Sequence, residues 1–139
     1  MEVKYYPEDD ALIMDIARGG CSGATLREDF GVILVFESEG NENIARVRVL
    51  NVSDFLPLSA ERGYDADTDT LTLGDKPAAD FHVVDNGDFV SYRQWFDDGS
   101  EWDVVAVELR RASAHLAPVL GRLVTAGAGQ HRVIVGPSA

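Results

Sequence analysis

The chain contains an internal repeat, which constrains the fold strongly because one structural pattern must suit both copies. A tyrosine, a turn aspartate and a leucine recur in the same order at Tyr5, Asp10 and Leu12 and at Tyr64, Asp69 and Leu71. Two apolar stretches also recur in order, with 31–36 and 44–50 corresponding to 87–92 and 104–110. The sequence therefore predicts one β-rich module present twice in tandem, in residues 1–58 and 62–120.

Each copy has the pattern of antiparallel strands that end in a short helix. Residues 8–10 and 67–69 separate short apolar stretches and favour hairpin turns. Alternation along 46–49 is typical of a strand with one wet and one buried face, whereas 32–36 is apolar throughout, as in a central strand. We expect an α+β fold that is mainly antiparallel β. It would consist of two tandem β-meander modules with short terminal helices, pseudo-twofold symmetry and one shared core.

The end of each copy carries a helix signal. Ser53 and Ser113 are suited to cap the first free amides of short helices. In the second copy helical spacing continues until the glycines of 127–129, which we expect to end the helix. Residues 121–139 would then supply the end of this helix and one extra strand at 131–135, which is suited to cover a sheet edge.

The chain is acidic, with a formal net charge of −12, and both copies share the excess of carboxylates. No patch of Lys and Arg is visible, so the charge opposes nucleic-acid binding and favours a basic protein partner. A high net charge also keeps a protein soluble, so solubility alone explains the acidity without a partner.

The location of the protein is indicated by its apolar runs and its cysteine. The longest apolar run, at 32–36, has the length of a strand, so we expect no contact with a membrane. The first residues lack the basic and apolar pattern of a secretory signal, and Cys21, the single cysteine, has no internal partner for a disulfide. We expect a cytoplasmic protein.

The first copy resembles a family of small bacterial proteins, domain of unknown function 2283. The resemblance rests on the opening 3–12, the strand 31–35 and the end 49–53, and it returns more weakly across 62–116. It implies a small antiparallel sheet with a short terminal helix and brings no catalytic residue. Some members look like antitoxin partners of small basic ribonuclease-like toxins, which would suit an acidic surface.

Signals for metals, cofactors and catalysis are weak. Asp65, Asp67 and Asp69 have the spacing of a calcium loop, but Thr70 and Lys76 stand where glycine and glutamate are required. An acidic hairpin turn explains them better. The histidines are isolated, and the loop 19–23 around Cys21 supplies no adjacent base, so we expect no metal and no cofactor.

Trp95, Phe96 and Trp102 flank the acidic turn 97–100 of the second copy and have no aromatic counterparts in the first. Aromatic residues at a hairpin tip are typical both of packing between neighbouring strands and of protein interfaces. The sequence fits both internal packing and a protein interface.

The sequence favours a non-enzymatic acidic module for protein binding or assembly, and an antitoxin-like role would be one form of it. The alternative is a small hydrolase that uses carboxylates in a cleft between the two repeats, which requires acids to converge there. Because single modules would pair as homodimers, the tandem chain is expected to be a monomer that imitates a dimer, or a homodimer itself.

The partner-surface interpretation makes a prediction for Trp95→Ala. We expect this variant to bind a partner more weakly while its melting temperature changes little, since an interface side chain contributes little to the core. A large loss of thermal stability, measured by circular dichroism, would favour internal packing instead.

Overall fold

Ten strands and one helix make up the part of the chain that the computed structural model describes, residues 1–17, 22–27, 31–37, 43–79, 81–95 and 102–130. Sheet A contains β1 (Glu2–Tyr6), β2 (Ala11–Asp15), β3 (Ser22–Arg27), β4 (Val32–Phe36) and β5 (Ile44–Leu50). Sheet B contains β6 (Tyr64–Asp65), β7 (Thr70–Gly74), β8 (Phe81–Asn86), β9 (Phe89–Trp95) and β10 (Trp102–Arg110). The helix α1 covers Ala112–Gln130, and 3-10 turns cover Val52–Asp54 and Ala60–Arg62.

Both sheets are antiparallel and have the same order of strands. The order is β1-β2-β5-β4-β3 in sheet A and β6-β7-β10-β9-β8 in sheet B. The predicted antiparallel α+β class is confirmed. The order is not that of a sequential meander, because β5 and β10 each return to the middle of their sheet. The pseudo-twofold relation between the two sheets stays a prediction.

The edge strands β3 and β8 are absent from the sequence prediction. The stretch 19–23 is typical of a loop, yet Ser22 and Gly23 pair with Phe36 and Val35 of β4. In β8 most side chains are exposed on both faces. An edge strand has one neighbour and buries little surface, so it lacks the alternation that identifies an inner strand.

The two sheets share one hydrophobic core. In β5 the valines at 47 and 49 are buried and the arginines at 46 and 48 are exposed, as the alternation predicts. A single cluster of buried side chains joins both inner faces, with Leu12, Met14, Val47 and Val49 from sheet A and Leu71, Leu73, Val107 and Leu109 from sheet B. Burying each such side chain contributes about 1.5–3 kcal/mol to folding.

Asp10 ties the first hairpin of sheet A to the chain that leaves β5. Its backbone oxygen accepts from the amide of Val52 at 3.0 Å. Its carboxylate accepts from the amide of Ser53 at 3.2 Å and from the Ser53 hydroxyl at 2.6 Å. The aspartate in the hairpin turn, and not Ser53, therefore satisfies the first free amides of the 3-10 turn.

Asp69 makes the same contacts in sheet B. Its backbone oxygen accepts from the amide of Ala112 at 2.9 Å, and its carboxylate accepts from the amide and hydroxyl of Ser113 at 3.0 and 2.6 Å. The predicted serine caps are thus wrong. Ser113 lies inside α1, and the cap comes from a turn distant in the sequence, which a local pattern does not reveal.

The backbone supports the equivalence of these turns. Among the described residues, positive φ outside glycine occurs at Asp10, Asn51, Asp69 and Arg111. Each sheet therefore has one such residue at its first hairpin turn and one at the exit from its central strand. Aspartate and asparagine tolerate this conformation because their short side chains hydrogen-bond locally.

Helix α1 follows sheet B but packs against β1 of sheet A. Leu116 and Val119 on its inner face are buried in the shared core. The helix continues through the glycines of 127–129 to Gln130, contrary to the predicted end, since an interior glycine costs only about 1 kcal/mol. The strand predicted at 131–135 lies outside the described residues. In the part of the chain that the structure describes, no helix is long and apolar enough to span a bilayer.

Removal of the Asp10 carboxylate should destabilise the protein measurably. We expect Asp10→Ala to lower the free energy of unfolding by about 2 kcal/mol, the upper range for loss of a helix cap. Asp10→Asn should lose less, because asparagine retains one acceptor oxygen and tolerates the same backbone conformation. Urea unfolding measures both changes. The neighbouring exposed Asp9→Ala is the control, and equal stability of all three variants would contradict this role.

Candidate protein-binding surface

Two of the three predicted aromatic residues lie opposite each other on neighbouring strands of sheet B. Trp95 ends β9 and Trp102 begins β10, and the two are directly opposite in the antiparallel register. Phe96 lies outside the described residues. Whether these three residues meet a partner stays a prediction.

A second apolar feature, which the sequence analysis does not predict, lies on edge strand β8. Phe81 and Val83 are 42% and 39% exposed and stand two residues apart, on the face of sheet B that points away from the core. We call these two side chains the β8 patch. The signal for it was the β-branched run that begins at Val83, but the short strand was not recognised and the exposed side chains were therefore missed.

The β8 patch rests on the ring of Tyr92 in β9. The rings of Phe81 and Tyr92 are tilted by 57°, with their centres 5.8 Å apart. Tyr92 packs with Val90 and Ala106 in a small buried cluster on this outer face. The patch is therefore supported from below by ordered aromatic and aliphatic groups.

A polar network fixes Tyr92 in turn. Its hydroxyl donates to Oε1 of Glu108 at 3.1 Å, and Lys76 donates to Oε2 at 3.0 Å. The ammonium of Lys76 also lies 4.9 Å from the centre of the tyrosine ring, within range of a cation–π interaction. Glu108 is only 7% exposed, so these partners offset the cost of burying its charge.

The hydrogen bond to Glu108 raises the pKa of Lys76, while partial burial opposes that rise. Lys76 therefore keeps its charge at neutral pH. Charge-assisted hydrogen bonds of this kind are stronger than neutral ones. The network gives the outer face of sheet B a defined shape around Tyr92.

Beside this network, the outer face of sheet B contains an open depression of about 480 Å³. Its walls come from β6, β7, β10 and the chain before α1. They combine threonine hydroxyls with charged groups, namely Asp65, Thr68, Thr70, Thr72, Lys76, Glu108, Arg110 and Arg111. Three of these residues are basic and two are acidic.

Asp88 joins the β8–β9 turn to the start of α1. Its carboxylate accepts from Nε of Arg111 at 2.8 Å and also from Nη2, and Nε2 of His115 lies 2.8 Å away. The hydrogen bonds from Arg111, followed by those from His115, lower the pKa of Asp88 to about 2. The turn that follows the β8 patch is thus fixed to the helix.

Asp69 and Tyr64 form another coupled pair. The Tyr64 hydroxyl donates to Oδ1 of Asp69 at 2.6 Å, and this bond raises the pKa of Tyr64. The pKa of Asp69 is lowered, first by the Ser113 hydroxyl and then by Tyr64. These carboxylate contacts are structural, because every one of them joins a turn to a strand or helix.

Residues 66–69 lie in the hairpin turn between β6 and β7, as the sequence predicts. Asp65 accepts from the amide of Asp67 at 2.9 Å, and Asp69 is occupied by its contacts to Ser113. Within the described ranges, no group of three or more His, Cys, Asp or Glu side chains is placed to hold a metal ion. Cys21 lies outside these ranges.

The seam between the sheets is apolar. A cavity of about 10 Å³ lies there, lined by Leu12, Met14, Val49, Val52, Phe55, Leu56, Leu71 and Leu73. Such a space holds at most one water molecule. No carboxylate lines it among the described side chains.

The pKa of Asp88 predicts a specific dependence of stability on pH. Its folded pKa of about 2 lies below the ordinary value of 3.8, so the unfolded chain takes up this proton first as the pH falls. The stabilisation by the ionised carboxylate is therefore complete above about pH 5 and is lost towards pH 2. Asp88→Asn should show a smaller loss of melting temperature between pH 7 and pH 3 than the wild type.

Thermal unfolding followed by circular dichroism across this range tests the prediction. Asp67→Asn, which changes an exposed carboxylate elsewhere on sheet B, should follow the wild type. If the curves of Asp88→Asn and the wild type run in parallel, the ionised Asp88 does not contribute.

The comparisons with known proteins add no assignment: no family model, no curated protein and no solved structure matches the chain. The resemblance to domain of unknown function 2283 stays a prediction.

Proposed function

We propose that this protein is a non-enzymatic binding module that recognises an extended, basic and apolar segment of another protein along edge strand β8. The observation that carries the proposal is the β8 patch, in which Phe81 and Val83 are exposed side by side on the edge of sheet B.

The backbone of β8 supports this mode of binding. Among the described strands β8 pairs only with β9, so it forms an edge of sheet B to which a further strand can be added. Natural edges are commonly protected by proline or by charged side chains, and β8 has no proline, no lysine and one carboxylate, Asp85. An added strand would gain main-chain hydrogen bonds and would place alternate side chains over Phe81 and Val83.

The support beneath the patch favours binding. Tyr92 is held by Glu108 and Lys76, so the surface under Phe81 is ordered before a partner arrives. Less conformational entropy is lost on association with an ordered surface. Exposed aromatic groups backed by packed residues are typical of the side chains that contribute most to interfaces.

Charge complementarity indicates a basic partner. The chain carries a net charge of −12. Such a charge accelerates encounters with basic proteins and opposes association with nucleic acid. The resemblance to domain of unknown function 2283 would place a small basic toxin among these partners, and a cytoplasmic location would suit that role.

The hydrolase alternative lacks support from the seam. It requires carboxylates that converge between the two repeats, whereas the described seam is lined by apolar side chains around a space of about 10 Å³. Asp88, whose pKa is lowered to about 2, is occupied by Arg111 and His115 at the start of α1.

The proposal predicts that Phe81→Ser with Val83→Ser weakens partner binding at least about tenfold, as expected for loss of about 1.4 kcal/mol at an interface. Tyr6→Ser is the matched control, because Tyr6 is 43% exposed and ends edge strand β1 of sheet A. Partners captured by the wild type are identified by mass spectrometry, purified and titrated against all three proteins. Circular dichroism establishes that each variant folds.

Hydrogen exchange then locates the binding site. A partner that pairs with the edge should slow exchange of alternate amides in β8 in the complex. Equal affinity for the wild type and the double variant, or protection that maps away from β8, would sink the proposal. Concentration-dependent dimerisation that the double variant abolishes would identify a second copy of the chain as the occupant instead.

A further inference from the structure

We infer that the depression on the outer face of sheet B is an oxyanion-binding site. The ligand class is a phosphate or carboxylate group, held by Lys76, Arg110 and Arg111 together with the hydroxyl of Thr72. The inference does not depend on the proposed function, because the depression lies over β6, β7 and β10 and not over the β8 edge.

The basic side chains of the depression have more hydrogen-bond donors than their carboxylate partners use. Lys76 directs its ammonium to Glu108, Arg110 directs Nη1 and Nε to neighbouring carboxylates, and Arg111 directs Nε and Nη2 to another. A guanidinium has five N–H donors and an ammonium has three. Nη2 of Arg110 and Nη1 of Arg111 have no acceptor among the described residues. Donors therefore remain after every ion pair in this region has formed.

The charged groups of the depression differ in their exposure to solvent. Glu108 forms the floor and is nearly buried, whereas the side chains of Lys76 and Arg110 are about half exposed and that of Arg111 is largely exposed. The remaining acid, Asp65, accepts the amide of Asp67 within its own turn. The three basic groups therefore lie at the solvent-facing end of the depression, above Glu108 and beside the partners of the two arginines, Asp85 and Asp88.

The hydroxyl of Thr72 adds a neutral donor, whereas that of Thr70 already donates to the backbone oxygen of Thr68 at 3.2 Å. Thr70 and Thr72 lie two residues apart on β7, so both point to the outer face, opposite the buried Leu71 and Leu73. They pair with Arg110 and Glu108 of β10 in register. Threonine hydroxyls beside guanidinium groups are suited to oxyanions, because both donate and the guanidinium fork matches two oxygens at once.

The corresponding face of sheet A does not offer this chemistry. There, β2 presents Ala11 and Ile13 against Leu50 and Arg48 of β5, so apolar groups replace the threonines. The depression is therefore a property of the side chains of sheet B and not of the shared order of strands. Arg48 supplies a matched control, an exposed arginine on the central strand of the other sheet.

The test is a titration of the full ¹⁵N-labelled chain with inorganic phosphate and, separately, with acetate, at constant ionic strength set by chloride. We expect saturable shifts of amides at Thr70, Thr72, Arg110 and Arg111. Arg110→Gln should weaken the apparent affinity about tenfold or more, as expected when a charged hydrogen-bond donor is lost. Arg48→Gln should leave it unchanged.

The outcomes separate the sources of the oxyanion. Saturation by phosphate alone would identify a phosphorylated ligand, and saturation by acetate as well would identify a carboxylate, from a small acid or an acidic side chain. Thr72→Val, which retains volume and removes a hydroxyl, provides a second measurement if Arg110→Gln fails to fold. Shifts that do not saturate, that spread equally to Arg48, or that persist unchanged in both variants would overturn the inference.

Discussion

The carboxylates of Asp10 and Asp69 each join a hairpin turn to the chain that leaves the central strand of the same sheet. Each aspartate sits in the left-handed region, with φ of 50° and 52°, so the turn and the cap depend on one backbone conformation. Because each carboxylate binds both an amide and a hydroxyl, this contact fixes where the following segment begins. The Asp69 contact fixes the start of α1, which packs against β1 of sheet A.

From that starting point α1 crosses to β1, and Leu116 and Val119 enter the core that the two sheets share. The inner faces are thus covered by each other and by the helix. On sheet B the outer face divides into two parts. The apolar part lies at β8 over Tyr92, and the polar part lies over β7 and β10 around Arg110. Glu108 contributes to both, since it holds Tyr92 on one side and Lys76 on the other.

Sequence reasoning reached the inner strands and the edge strands β1 and β6, and it missed the edge strands β3 and β8. The alternation of Val47 and Val49 with arginines predicts a half-buried strand, and the structure agrees. The candidate surface was predicted less well: Trp95 and Trp102 are cross-strand neighbours, but Phe81 and Val83 were not foreseen. An edge strand exposes both faces, so burial imposes no pattern on its sequence, and its identity depends on the partner strand β9.

The sequence by itself determined the antiparallel strands, the acidic turns and the shared apolar character of the inner faces, because these follow from periodicity and turn chemistry within a few residues. Only the tertiary structure decided which strand lies at the centre of each sheet and which residue caps α1. Those outcomes depend on contacts between segments that are distant in the sequence, such as Asp69 with Ser113. A pattern within a few residues does not reveal such contacts. The same holds for the outer face of sheet B, where residues from β7, β10 and the start of α1 meet only after the sheet has formed.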